Sequence, residues 1–225
     1  MKGFFITGTD TEIGKTLVTA ALTRALAARG LRVAPIKSLA AGQQFVDGRW
    51  VNEDVATLLA AQNLGLGDAD VGPLQFREPC APHIAAKLQG ATIDRNALLT
   101  AIRATAAKAD LALVEGVGGF RVPLTATWDT ADLAVDLGLP VILVVGLRLG
   151  CINHALLTAE AIRARGLTLA GWVANTVDPD QAHVADNLAS LQASLKAPCL
   201  GHIPRLTDPL AAPARLDISP LVASA

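Results

Sequence analysis

The run Gly8-Thr9-Asp10-Thr11-Glu12-Ile13-Gly14-Lys15-Thr16 follows the apolar stretch Phe4-Phe5-Ile6-Thr7 and has the residue types that phosphate binding needs. In a P-loop, a strand enters a small turn that ends in Gly-Lys-Thr and opens a helix. Backbone N–H groups and the helix N-terminus then face the phosphate oxygens, Lys15 reaches the outer phosphates, and the Thr16 hydroxyl holds Mg²⁺. Five residues separate Gly8 from Gly14, so Thr9 stands where the usual pattern has its first glycine. Glu12 brings a carboxylate close to that anion. This suits a cationic or amine-bearing co-substrate, or a hydrogen bond that orders the loop.

Three further residues can take part in the same chemistry. Glu115 ends the apolar run Leu111-Ala112-Leu113-Val114, where a metal-binding acid of the Walker B kind belongs. Asp54 lies one turn into a helix that Asn52 caps. With Thr16, these acids supply the hard oxygen ligands that Mg²⁺ requires beside a γ-phosphate. Each also has a plainer reading: acids favour first helical turns, and a charge at the end of a buried strand must go somewhere. Lys37 ends a second strand-like run. Beside a triphosphate it adds a second positive charge to Lys15, useful where negative charge accumulates during phosphoryl transfer. Cys151 has no suitable histidine partner for nucleophilic work, since His154 lies along the same helix. The N–H groups of the helix start at Gly150, Cys151, Ile152 and Asn153 are better suited to a carboxylate.

Those positions require a scaffold of alternating strands and helices. Helical spacing from Thr16 to Arg29 stops at Gly30, and Leu31 to Lys37 is strand-like, with Pro35 tolerable near an edge. Leu39 to Val51 reads as loop, and a helix follows to about Asn63. Gly65 to His83 reads as irregular chain with a short strand near Leu74 to Arg77. Ala85 to Gly90 and Asp94 to Ala109 are helical, Leu111 to Val114 is a buried strand, and Thr130 to Leu137 is a helix. The strand Val141 to Val145 precedes a helix from Gly150 to Arg165. A strand from Leu167 ends at Asn175, a helix spans about Asp180 to Leu195, and Leu200 to Ile203 is the last strand. The tail from Thr207 reads mostly as loop. The alternation gives one P-loop α/β domain over residues 1–225, doubly wound with a mostly parallel sheet. Gly8, Lys37, Glu115 and Asn175 all fall on the rim where such sheets bind ligands.

Composition agrees. Hydrophobic residues make up 52% and aromatics 4%, with no Tyr, and the net charge is −1. Buried aliphatic strands fit that balance, whereas a nucleic-acid partner calls for a positive excess. Cys80, Cys151 and Cys199 lie far apart, without zinc or disulfide spacing. The longest apolar run, Leu137 to Leu147, contains Gly138 and Pro140 and is too short for a membrane span. The start of the chain does not read as a secretory signal. A cytoplasmic protein is expected.

Thr7 to Thr16, Val114-Glu115-Gly116-Val117-Gly118-Gly119, Pro140 to Val145, Leu149-Gly150-Cys151-Ile152-Asn153-His154-Ala155 and Ala170-Gly171-Trp172-Val173-Ala174-Asn175 together resemble the motifs of the dethiobiotin synthetases. That resemblance covers nearly the whole chain. It implies that CO₂ adds to one amine of 7,8-diaminopelargonate, that the carbamate attacks the γ-phosphate of ATP, and that the second amine closes a ureido ring. On matching positions it implies that Thr11, Glu12, Lys15 and Lys37 surround the carbamate and the transferring phosphoryl group. Thr16, Asp54 and Glu115 would lie on Mg²⁺. Glu12, Ile13, Gly14, Lys15, Thr16, Leu17, Asp54, Glu115 and Gly118 would hold the nucleotide, with Asn175, Thr176, Pro204, Arg205 and Leu206 at the adenine. Thr11, Lys37 and Ala41 would contact the diamine. Gly150 to Asn153 would take its carboxylate across a homodimer interface. Two positions depart from the family: Ala41 replaces a hydroxyl residue, and Ser38 replaces a frequent proline. The competing class, a partition-type ATPase switch, uses a second lysine five residues before the P-loop lysine, where this chain has Asp10. An amidotransferase would need a glutaminase domain, for which no length remains.

Overall fold

A computed structural model of the chain describes residues 1–222. Its elements in chain order are β1 (Gly3–Gly8), α1 (Lys15–Ala27), β2 (Val33–Lys37), β3 (Ala40–Ala41), β4 (Gln44–Val46), β5 (Arg49–Val51), α2 (Glu53–Leu59), α3 (Asp68–Val71), β6 (Gln75–Phe76), α4 (Pro82–Leu88) and α5 (Arg95–Ala106). There follow β7 (Leu111–Glu115), α6 (Thr130–Leu137), β8 (Val141–Leu147), α7 (Cys151–Ala164), β9 (Leu169–Thr176), α8 (Val184–Leu195), β10 (Cys199–Ile203), a 3₁₀ segment (Pro209–Arg215) and α9 (Ser219–Val222). Six strands form one sheet in the order β10-β9-β8-β1-β7-β2, and every neighbouring pair is parallel.

Both faces of this sheet are covered, which is why its strands read as unbroken apolar runs rather than alternating ones. Along β1, Phe5 joins Val114, Leu143 and Trp172 in the cluster under α5, α6 and α7. Phe4 and Ile6 join Leu113 and Val144 in the cluster that Val18, Leu22 and Leu26 of α1 complete. Thr19 and Thr23 are fully buried in α1, yet each hydroxyl donates to the carbonyl four residues earlier, at 2.9 and 2.7 Å. No helix among the described residues is long and apolar enough to cross a membrane.

Several boundaries differ from the sequence reading. The stretch Leu39 to Val51 is not plain loop: β3 pairs with β6, and β4 with β5 forms a hairpin. Asp47 and Gly48 turn it with φ of +50° and +80°, the signature of an Asp-Gly turn whose mirror-image twist suits a two-residue hairpin. Helix α2 stops at Leu59, and Asn63 beyond it ties the chain to the start of β2. The Asn63 side chain accepts from the Val33 N–H and donates to the Leu31 carbonyl. Asp68 to Val71 is a short helix inside a stretch that reads as irregular. Helix α8 begins at Val184, after His183 in the left-handed region. The tail is also more ordered than loop. Ala212, Ile218 and Leu221 are buried against the α1 side of the sheet, and the Asp217 N–H donates to Leu200 at 2.7 Å.

Candidate active site

The turn after β1 is held from several directions. The Thr9 N–H donates to the Val144 carbonyl at 3.0 Å, and the Asn175 side-chain amide donates to the Ile13 carbonyl at 2.8 Å. A Cβ on Gly14 would lie 2.3 Å from that amide nitrogen, and Gly14 has φ of +85°, so only glycine fits there. Glu12 also sits in the left-handed region, at φ +57°. For a residue with a side chain this costs about 1–3 kcal/mol, a strain typical of ligand-binding turns. The Lys15 ammonium donates to the Asp10 carbonyl at 2.7 Å, while the Asp10 carboxylate pairs with Arg148.

Beneath the turn lies a buried ionic cluster. Lys37 and Glu115 face each other in the β2/β7 register, which brings their side chains to one place. The Lys37 ammonium is 2.7 Å from Glu115 Oε1 and 2.6 Å from Asp54 Oδ2. The Thr16 hydroxyl donates to the same Glu115 Oε1 at 2.8 Å. Glu115 is completely buried and Lys37 nearly so. Ser38, the departure from the family's proline, adds a lock: its N–H and hydroxyl both donate to the Glu115 carbonyl, at 3.0 and 2.8 Å. A proline could supply neither bond.

Burial alone would lower the Lys37 pKa, but Glu115 and Asp54 hold it above the ordinary lysine value. Burial alone would likewise raise the Asp54 carboxyl, yet the Lys37 charge and the hydrogen bond from Lys37 keep it below the usual range. Lys15 has no direct carboxylate partner of this kind. Burial, and then repulsion from Lys37, lower it to about 8. In the free protein Lys15 is therefore charged below about pH 8 and loses its proton above it. A bound triphosphate favours the charged form, so binding above pH 8 must take up a proton. Nucleotide affinity is expected to fall as pH rises beyond that point, by at most about tenfold per pH unit. Titration calorimetry at pH 8.5 in two buffers of different ionisation enthalpy measures this uptake. Equal heats in the two buffers would contradict it.

Thr16, Asp54 and Glu115 offer only hard oxygen donors. Glu115 Oε2 is buried with no hydrogen-bond partner among the described residues. An orphaned, buried carboxylate oxygen beside a hydroxyl and a second carboxylate fits Mg²⁺.

The cluster forms the floor of a cavity of about 770 Å³. Thr11, Glu12, Gly14, Lys15, Thr16, Lys37, Ala41, Asp54, Glu115 and Gly118, all singled out from the sequence, line it together. Asn52, the Pro79 to Pro82 segment, Val117 and Val122 line it as well. Asn52 is visible in sequence only as a helix cap. The Pro79 to Pro82 wall arrives through the β3/β6 pairing, which no local pattern announces.

Other nominated residues lie elsewhere. Leu17 packs in the apolar cluster under α1. Asn175 touches the turn from outside the cavity, Thr176 meets His202 at 2.8 Å, and Arg205 donates to the Val177 carbonyl at 3.3 Å. Gly150 to Asn153 are outside the cavity wall among the described residues. Gly150, with φ of +91°, opens α7 without a side-chain cap; Cys151 is buried, whereas Gly150 and Asn153 are exposed.

Comparison with known proteins agrees with this geometry. Residues 2–212 match the family described as AAA domain. The chain is 54% identical, over 97% of its length and 96% of the relative's, to the ATP-dependent dethiobiotin synthetase BioD of Ralstonia nicotianae. Among solved structures, a ParA family ATPase from Chlorobium tepidum superposes with a TM-score of 0.54 at 13% identity, covering 100% of this chain and 95% of that one. The cell division ATPase MinD of Pyrococcus furiosus gives 0.54 at 19%, covering 91% and 84%. At such identities the structural neighbours share the P-loop fold and nothing more is carried over from them. The sequence relationship, in contrast, spans every element that builds the cavity, and the chain belongs to the ATP-dependent dethiobiotin synthetases.

Proposed function

We propose that the chain converts 7,8-diaminopelargonate, CO₂ and ATP into dethiobiotin, ADP and phosphate. The observation that carries this reading is the position of Lys37, buried between Asp54 and Glu115 and sharing one cavity with Lys15 and Thr16. A partition-type switch draws its second lysine from the P-loop turn itself, not from the end of β2. Asp10, where such a switch uses a lysine, pairs here with Arg148 instead.

In the proposed sequence, one amine takes up CO₂ and a carbamate oxygen attacks the γ-phosphorus, breaking its bond to the β-phosphate bridging oxygen and releasing ADP. The second amine then attacks the carbonyl of the carbamic-phosphoric anhydride, and phosphate leaves with the carbamate oxygen. Mg²⁺ neutralises charge on the phosphate oxygens when bound. Lys15 and Lys37, both buried and so pre-positioned, offset the charge that builds up between carbamate and phosphate. Glu12 and Thr11, exposed at the rim, face the incoming amine. Asn175 and Thr176, with Pro204, Arg205 and Leu206, receive the adenine beside the turn. A cytoplasmic location suits a reaction that consumes ATP.

Oxygen-18 tests the order of events. With C¹⁸O₂, one labelled oxygen should remain in the ureido carbonyl and the other should appear in phosphate. Unlabelled phosphate would show that water, not carbamate, attacks the nucleotide.

The diamine's carboxylate is assigned to the Gly150 to Asn153 turn of a second subunit, since Gly150 and Asn153 are exposed and the turn lies outside its own chain's cavity. Lys37→Ala chains mixed with Asn153→Trp chains should then regain activity. Each hybrid has one site with both defects and one with neither, so random reassortment should restore about a quarter of the native rate. Stably mixed dimers that stay inactive would put both elements in one subunit's site.

A further inference from the structure

We propose that Asn52 is a positioning residue that holds the Ala41–Gly42 wall of the cavity in register with Asp54 and Lys37, and so sets the affinity for the diamine. This rests on reading the cavity as the diamine site. Asn52 is 4% exposed and lines the cavity. Its Oδ1 accepts from the Val55 N–H at 3.1 Å, which caps α2. Its Nδ2 donates to the carbonyls of Gly42 at 3.0 Å and Ala41 at 3.3 Å. An asparagine amide carries both donors and its acceptor on a single rigid plane, so here one group ties a helix start to two successive carbonyls in the cavity wall.

The chain between those anchor points explains why such a tie is needed. From Gly42, with φ of +89°, the chain leaves as the β4/β5 hairpin and returns at Asn52. Residues 44–50 are exposed, and the hairpin's two strands form a separate two-stranded sheet. Isolated hairpins are marginally stable in water. Its outer contacts include the Gln43 N–H to the Arg77 carbonyl at 3.0 Å, the Gln43 side-chain amide to Gln75 at 3.3 Å and the Arg77 guanidinium over Trp50 at 4.7 Å. Asn52 joins the two feet at the cavity itself, two residues before Asp54. Because position 41 is alanine, this part of the wall can address the diamine's polar groups only through its backbone. That backbone is held on one side by the pairing with β6, where the Gly42 N–H donates to the Phe76 carbonyl at 3.0 Å, and on the other by its two carbonyls bonded to Asn52.

The two roles of Asn52 separate by substitution. Serine caps a helix about as well as asparagine but is too short to reach the two carbonyls, whereas alanine does neither. With Asn52→Ser, the loosened wall is expected to raise the diamine KM about tenfold and the loss of two buried hydrogen bonds to lower Tm modestly, while the Kd of MgATP and kcat stay near native values. Asn52→Ala, which also loses the cap, should show the same KM increase and a Tm lower still. If Asn52→Ser keeps the native diamine KM, or weakens MgATP to the same extent as the diamine, the positioning role is overturned. If the unaltered protein makes no dethiobiotin, the functional reading fails and the inference with it, a result distinct from an active protein whose KM ignores Asn52.

Discussion

Replacing Lys37 by alanine is expected to lower kcat on the order of 10²-fold or more, because transition-state charge loses a pre-positioned partner. MgATP binding should be largely retained, since the turn's N–H groups, Lys15 and Thr16 hold the triphosphate without Lys37. A second effect follows from burial. Lys37 is the direct ionic partner of the fully buried Glu115. Removing one member of such a pair typically costs roughly 3–5 kcal/mol. The variant should therefore melt well below the native protein without metal and recover much of that loss when Mg²⁺ and ATP are added. A kcat near native at saturating diamine would remove Lys37 from the chemistry.

Glu115→Gln tests the other half of the cluster. Glu115 Oε1 accepts from Thr16 and Lys37, while Oε2 is free of hydrogen-bond partners among the described residues. The amide keeps the side chain's shape and one acceptor but removes the charge that suits a divalent cation. The Mg²⁺ concentration for half-maximal turnover should rise at least about tenfold, and kcat should fall by about 10². Native metal dependence in this variant would assign Glu115 to Lys37 alone, as a buried counter-charge. Because Asp54 remains beside Lys37, the stability loss should be smaller than for Lys37→Ala.

Much of the fold and site could be read from the chain because the decisive signals are local. The strand, Gly14-Lys15-Thr16 and α1 are contiguous, and Glu115 closes an apolar run whose length and flanks identify a buried strand. Lys37 and Glu115 needed one further step: their contact follows from β2 and β7 being neighbours, which a ligand-binding rim of a parallel sheet makes natural but no spacing encodes. The hairpin was legible in principle, since Asp47-Gly48 is the dipeptide that its turn demands. It reads as loop because β4 and β5 are exposed on their own and carry no core-facing alternation. Asn52 and the Pro79 to Pro82 wall were hidden for a different reason. Asn52's local role as a cap is complete without the cavity, and Pro79 to Pro82 reach it only through the β3/β6 pairing.

The central claim is that phosphoryl transfer in this cavity is directed to a carbamate of the diamine. It is tested most directly by the rate of phosphate release from MgATP with bicarbonate and 7,8-diaminopelargonate supplied together, singly and not at all. The account predicts rapid release, matched by dethiobiotin formation, only when both are present. Equal release without either co-substrate would contradict it and would mark the protein as an ATPase switch built on the same sheet.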